Sequence, residues 1–150
     1  MALRENADLT MQAWTPDAVA NLIQIPYRTL MRWLKTGAIE ASVAPPRGER
    51  KQVLLALEDV LAVCVAATLR RTGQPMEYVV SLLRQLRKDQ VSLEDVYLIT
   101  VDDSVVSVYR SAREAAKLFD EPGQKILLPV AHWRELAQRI AYEKDQVIVA

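Results

Sequence analysis

The chain has 150 residues, the length of one ordinary domain or two small ones, and its 19 basic and 19 acidic side chains cancel. Hydrophobic residues make up 51% and charged residues 25%, a balance that excludes a disordered or collagen-like chain. No apolar run approaches the roughly 20 residues that span a bilayer, and residues 1–8 lack the hydrophobic stretch of a secretory signal. A single cysteine excludes an internal disulfide and a cysteine-rich metal site. We therefore expect a cytoplasmic protein without a membrane partner.

The charge is unevenly distributed along the chain. Residues 1–90 contain 12 basic and 9 acidic side chains, whereas residues 91–150 contain 7 and 10. Residues 28–51 alone carry six basic groups against two acidic ones. The six are Arg28, Arg32, Lys35, Arg47, Arg50 and Lys51. Such a patch favours phosphate binding, because each neutralised phosphate releases counterions, although many domains have a basic face.

Two short helices are predicted on either side of a proline. Thr15 and Pro16 suit the start of a helix that ends near Gln24, and a second helix runs from about Pro26 to Thr36, before a glycine. The inner face of the second helix consists of Leu30, Trp33 and Leu34, and its outer face of Tyr27, Arg28, Met31, Arg32 and Lys35. This pattern predicts a helix-turn-helix, because a helix with exposed donors fits the DNA major groove. The alternative is a helical hairpin with a solvated basic face.

The next segment predicts a β-hairpin with a basic tip. Its strands are residues 38–43 and 52–55, and the loop between them contains Arg47, Arg50 and Lys51. Beside a helix-turn-helix, such a hairpin is a wing that reaches phosphates or the minor groove. The alternative is a solvated hairpin whose charges prevent edge-to-edge pairing.

Two further helices follow in the sequence. A strongly apolar helix begins at Leu57 and ends in Arg70 and Arg71, and its few polar positions predict burial on more than one side. Cys64 is accordingly interpreted as a small core residue. Pro75 then opens a helix with Met76, Val79, Val80, Leu83 and Leu86 on one face.

Six short motifs follow one another between Trp14 and Lys88. They are residues 18–20, Arg28-Thr29-Leu30, residues 32–37, Gly48-Glu49-Arg50, Leu57-Glu58-Asp59-Val60 and Arg70-Arg71-Thr72-Gly73. This half of the chain resembles the MerR-like winged helix-turn-helix family, including its excisionase-type members. Residues 54–59 and 69–73 are also similar to MerR-like domains of antitoxins. The chain departs from the family in a longer wing-to-helix connection, in Glu49 and Gln52, and in lacking the long dimerising helix of full MerR regulators.

The resemblance implies a set of DNA contacts. Arg28, Thr29 and Arg32 would face the major groove, and Lys35 and Tyr27 would meet phosphates, with simple solvent exposure the alternative for Tyr27. The wing residues Arg47, Arg50 and Lys51 would contact phosphates or the minor groove. Trp33 is assigned to the core because it shares a face with Leu30 and Leu34.

The second half predicts a small α/β module. Its elements are a hairpin of residues 96–101 and 105–109, a helix from Ser111 to about Phe119, a turn at 121–124, a strand at 125–130, a helix at 131–142 and a last strand at 146–149. A module of this size is expected to pack on the winged helix or on another chain. His132 is interpreted as structural, and Asp102 and Asp103 as solvated turn residues. No catalytic, metal or cofactor site is predicted, so we expect no enzyme.

The expected fold is α+β, with an arm (1–13), a winged helix-turn-helix with extra helices (14–90) and an α/β module for dimerisation or partner binding (91–150). The expected function is that of a sequence-specific double-stranded DNA-binding regulator, a homodimer that is nucleoid-associated when bound. Two alternatives stay open. One is an antitoxin or adaptor that binds a polypeptide through its C-terminal module, and the other is an excisionase-type architectural DNA binder.

Overall fold

The computed structural model describes residues 12–43, 53–103 and 105–149 of the chain, with side chains described up to residue 141. These residues form a mixed α+β protein with six α-helices, two short 3₁₀-helices and a three-stranded antiparallel sheet. The α-helices are α1 (Pro16–Ile23), α2 (Tyr27–Thr36), α3 (Leu57–Arg71), α4 (Met76–Lys88), α5 (Ala112–Ala115) and α6 (Val130–Val149). The strands are β1 (Leu98–Asp102), β2 (Val105–Tyr109) and β3 (Ile126–Leu128), and the 3₁₀-helices are Leu93–Asp95 and Ala116–Asp120.

The first two helices form where the sequence predicts them. The Thr15 hydroxyl caps α1 by accepting a hydrogen bond from the Ala18 amide at 3.2 Å, and Pro16 occupies the first turn. Gln24 ends α1 in the left-handed conformation (φ 60°), and Gly37 ends α2 in the same way (φ 83°). A three-residue turn, residues 24–26, therefore joins two helices with defined ends.

Helix α3 lies at the centre of the protein. Nine of its fifteen residues are buried, and it packs against α1, α4 and α6, which confirms the prediction of burial on more than one side. Cys64 has no exposed surface, so its interpretation as a core residue is also confirmed. Burial raises the pKa of the Cys64 thiol to about 12, and the nearby Arg71 cation only partly opposes this shift.

One continuous hydrophobic core joins the two halves of the sequence. It contains Trp14 and Leu30 from the first half and Val101, Leu128 and Trp133 from the second. A buried hydrogen bond also joins the two halves: the indole nitrogen of Trp14 donates to the Ala137 carbonyl of α6 at 2.9 Å. The second half therefore packs on the first, as the small size of the module led us to expect.

Polar contacts fix the segment that connects the two halves. The Glu58 carboxylate, at the start of α3, accepts hydrogen bonds from the Ser92 hydroxyl at 3.0 Å and the Leu93 amide at 2.8 Å. From the other side, the Arg134 guanidinium of α6 donates to the carbonyls of Leu93 (3.2 Å) and Val96 (3.0 Å). The connection is thus held between α3 and α6.

The sheet places its central strand, β1, between β2 and β3. Ile99 and Val101 on β1 are buried and lie on the core face with Leu128. Because side chains alternate along a strand, Thr100 and its partner Leu127 lie on the opposite face. The predicted hairpin of β1 and β2 is confirmed, but its first strand spans Leu98–Asp102 and not 96–101, because Asp102 still pairs with Val105.

Several predicted elements differ from the structure. The predicted strand 38–43 is wrong except at Val43, which forms an isolated antiparallel bridge with Leu54. The strand is interrupted because the Ser42 amide donates to the carboxylate of Asp59 instead of to a neighbouring strand. The predicted helix 111–119 is only four residues of α-helix, and its continuation tightens into a 3₁₀-helix.

The C-terminal predictions also need correction. The strand predicted over 125–130 is limited to Ile126–Leu128, because Pro129 has no N–H and its carbonyl accepts from the Trp133 amide in the first turn of α6. The strand predicted at 146–149 is wrong, since α6 continues to Val149. Each added residue of a formed helix gains a backbone hydrogen bond, which here outweighs the strand propensity of the β-branched residues.

The Trp14 hydrogen bond predicts a stability difference between two tryptophan variants. Trp14→Phe removes the bond to Ala137, whereas Trp133→Phe removes a buried indole that forms no hydrogen bond with the described residues. We expect Trp14→Phe to lower the free energy of unfolding by about 1 kcal/mol more than Trp133→Phe does. Urea denaturation followed by circular dichroism measures both, and equal losses would contradict the assigned role of the bond.

Burial of Cys64 predicts a protected thiol. Raising the thiol pKa from 9.0 to about 12 lowers the thiolate fraction roughly a thousandfold at pH 8, because each unit is a factor of ten. A thiol reagent should therefore label the folded protein far more slowly than the protein unfolded in guanidinium. Rapid stoichiometric labelling of the folded protein would show that Cys64 is accessible.

Candidate nucleic-acid interface

Three cations lie together on the outside of α2. Arg28, Arg32 and Lys35 are spaced by four and three residues, which places them on one face of the helix, and all three are exposed. None of them forms an ion pair with another residue that the structure describes. We call these three residues the basic face. Its charges are available to an external anion.

The opposite side of α2 is anchored in the core. Leu30 and Trp33 are buried, which confirms the assignment of Trp33 to the core, and Leu34 packs against the core from the side. The main tertiary contacts of α2 are with α1, and the C-terminal elements do not cover its outer side. The basic face is therefore both fixed in position and open to solvent.

The other two predicted contact residues of α2 lie beside the basic face. Tyr27 is 51% exposed at the first position of the helix, and Thr29 is partly buried. Helix α2 has no side-chain cap at its N-terminus, so its first amides and the positive end of its dipole lie next to these two side chains. This end of the helix adds partial positive charge to the surface.

Arg71 has a role that was not predicted from the sequence. The sequence places Arg70 and Arg71 at the favourable end of the α3 dipole and in a motif of the resemblance. In the structure, the Arg71 guanidinium donates to the carbonyls of Ile23 and Gln24, the latter at 2.9 Å. Both carbonyls lie at the C-terminal end of α1, where the turn into α2 begins. Arg71 thus fastens the turn to α3, a contact across 47 positions that no local sequence pattern indicates.

Arg70 extends the cationic surface beyond α2. It is exposed, and its guanidinium donates to the Gln74 carbonyl at 2.9 Å. A groove of about 310 Å³ separates α2 from the end of α3, and Thr29, Arg32, Arg70 and Arg71 are among the residues that line it. Two predicted contact residues therefore share a groove with two arginines that were not predicted as contacts.

The predicted wing residues Arg47, Arg50 and Lys51 lie outside the described residues. The residues on either side of this segment are described: Val43 and Leu54 form an antiparallel bridge. Leu55 then pairs with Trp14 through two backbone hydrogen bonds of 2.9 and 2.8 Å. The two ends of the intervening segment are therefore held side by side.

One carboxylate fastens both ends of that segment. Oδ2 of Asp59, in the first turn of α3, accepts from the Ser42 amide and the Ser42 hydroxyl, each at 2.8 Å, and from the Ala56 amide at 2.9 Å. Asp59 is only 8% exposed. Asp59 belongs to a helix-opening motif in the sequence, but its contact with Ser42 was not predicted, because Ser42 is 17 positions away.

The remaining titratable candidates form no site. His132 is exposed near the start of α6, and Asp102 pairs with Lys125 at 3.5 Å and is not simply solvated. Asp103 is an exposed turn residue with a φ of 55°. Among the described residues, no group of three or more His, Cys, Asp or Glu side chains is placed to hold a metal ion. Within the same residues, no helix has the length and apolar character that crossing a membrane requires.

Comparisons with known proteins do not assign the chain to a family. No protein-family model matches the sequence, and no curated protein matches it. Any functional conclusion therefore depends on the residues and their arrangement.

The Asp59 contacts predict a strong effect on stability. Asp59→Ala leaves two backbone amides and one hydroxyl without their acceptor, whereas Ser42→Ala removes the hydroxyl bond alone. We expect losses of about 2–4 kcal/mol and about 1 kcal/mol respectively in the free energy of unfolding. Urea titration of both variants measures the difference. If Asp59→Ala costs no more than Ser42→Ala, the carboxylate does not fasten the segment.

Proposed function

We propose that this protein binds double-stranded DNA in a sequence-specific manner and acts as a transcriptional regulator of the winged helix-turn-helix type. The observation that carries the proposal is the basic face of α2, which is exposed, unpaired among the described residues and borne by a helix anchored in the core. The protein would act by binding alone, without catalysis.

The dimensions and chemistry of α2 suit the major groove. Its ten residues make a helix about 15 Å long, and the major groove is about 12 Å wide and admits one α-helix. Arg28 and Arg32, one turn apart, can each donate two hydrogen bonds to the O6 and N7 atoms of a guanine. Lys35, one turn further, is suited to a phosphate, where a mobile ammonium needs no fixed geometry.

Neighbouring groups supply phosphate contacts around the helix. Arg70 lies across the groove from Arg32, and Tyr27 and Thr29 lie at the uncapped end of α2, where backbone amides favour an anion. The segment between Val43 and Leu54 contains Arg47, Arg50 and Lys51, and we propose that it is the wing that reaches phosphates or the minor groove.

The proposal predicts which arginines determine affinity and specificity. The probe is a labelled duplex of about 24 base pairs, enriched from a random pool by the wild-type protein, and a scrambled duplex of the same composition is the reference. Arg28→Ala or Arg32→Ala should each cost about 1–3 kcal/mol on the enriched duplex and less on the scrambled one, because each loses a base contact. Fluorescence anisotropy measures both affinities.

A matched control removes the same charge elsewhere. Arg113 is exposed on α5, a helix that packs against β2 and not against α2, so Arg113→Ala should leave both affinities nearly unchanged. Unchanged binding by the Arg28 and Arg32 variants would show that the groove assignment is wrong. If the wild-type protein enriches no sequence and binds all duplexes with the same steep salt dependence, the protein is an architectural binder and not a sequence-specific regulator.

A further inference from the structure

An apolar groove lies on the side of the sheet that faces away from the core. It has a volume of about 600 Å³ and separates the sheet from α5 and the following 3₁₀-helix. Leu98 and Leu127 line it from the sheet, and Ala115, Ala116 and Leu118 line it from the helical segment. Helix α5 and the 3₁₀-helix therefore cover only part of this face of the sheet.

A large aromatic side chain stands at the rim of the groove. Phe119 is the single phenylalanine of the chain, and it is 91% exposed. Leu127 is 54% exposed and Tyr97 39% exposed at the same groove. Contiguous exposed apolar surface of this kind, next to charged residues, is typical of a protein–protein contact.

We propose that this groove binds a second copy of the chain, with Phe119 of each copy inserted into the groove of the other. A two-fold interface uses the same patch twice, so the patch must complement itself. Here a projecting ring and a cavity lie side by side on one surface, which is the arrangement that a reciprocal exchange requires. A partner of a different kind would have to supply both a projecting group for the groove and a pocket for Phe119, whereas a second copy carries the two already.

The charges around the groove also favour a second copy. Residues 110–125 contain four basic and three acidic side chains, so neither sign dominates. Lys125 at the rim is already neutralised by Glu121 at 3.3 Å and Asp102 at 3.5 Å. A balanced surface does not repel its own copy, and it offers no net attraction to a strongly charged partner such as a nucleic acid.

The area that this exchange buries is that of a small interface. A phenylalanine side chain buries about 150–250 Å², and the groove that receives it loses a similar area. Two reciprocal insertions therefore remove roughly 800 Å² from solvent before the charged rim is counted. A specific interface needs about 1,000 Å², so the residues around the groove must also make contact between the two copies.

This inference deepens the proposed function, because a homodimer bound to a two-fold site needs a contact between copies. The elements around the groove do not pack against α2, so an interface there leaves the basic face of both copies open. The oligomeric state is measured without nucleic acid. Its outcome is therefore separate from the outcome of the DNA-binding experiment.

The test is the dissociation constant of the full chain, measured by sedimentation equilibrium. We expect the wild-type protein to be a dimer and Phe119→Glu to weaken association on the order of 100-fold or more, since two anchors are lost per dimer. Val105→Glu is the matched control, because Val105 is an apolar side chain, 64% exposed, that does not line the groove. Circular dichroism confirms that each variant is folded.

A mixing experiment tests the reciprocal exchange itself. A two-fold dimer has two junctions, each formed by residue 119 of one copy in the groove of the other. Phe119→Glu and Leu127→Lys should each be monomeric alone, because each substitution places an unpaired charge in both junctions. In an equimolar mixture, one junction pairs the new carboxylate with the new ammonium and the other is wild-type, so a mixed dimer should form. A monomeric wild-type protein at about 100 μM, a Phe119→Glu variant that stays dimeric, or a mixture that stays monomeric would each overturn the proposal.

Discussion

The structure depends on the burial of α3, whose middle is apolar on every side and whose ends are charged. The apolar middle packs against α1, α4 and α6 and forms one core with them. The charged ends then hold the surrounding loops: Glu58 holds the connection to the second half, Asp59 holds Ser42 and Ala56, and Arg71 holds the turn before α2. Acidic side chains in the first turn and basic ones in the last also match the helix dipole. One helix thus sets both the core and the positions of three irregular segments.

The consequence for α2 is that it is fixed from two directions. Its apolar side is buried through Leu30 and Trp33, and the turn that precedes it is held by Arg71. A helix restrained in this way loses little conformational freedom when its outer side binds, which favours affinity at a given contact area. The cations on that outer side form no ion pairs with described residues. Rigidity and free charge together are what the proposed recognition of DNA requires.

The sequence predicted what depends on near neighbours and missed what depends on distant ones. The N-cap Thr15, the stop at Gly37 and the basic face of α2 follow from local spacing, and the structure has all three. The contacts of Asp59 with Ser42 and of Arg71 with the end of α1 cross 17 and 47 or more positions, and no local pattern reports them. The prediction of a C-terminal strand at 146–149 was wrong for a related reason. Its β-branched residues favour a strand when taken alone, but they follow a helix that is already formed.

The central claim, that α2 is the surface that meets DNA, is tested most directly by nuclear magnetic resonance. The isotope-labelled protein is titrated with an unlabelled duplex, and the shift of every backbone amide is followed. If α2 meets DNA, the largest shifts cluster on residues 27–36 and at Arg70, with little change along residues 97–127. Shifts confined to residues 97–127, or spread evenly over the chain, would contradict it.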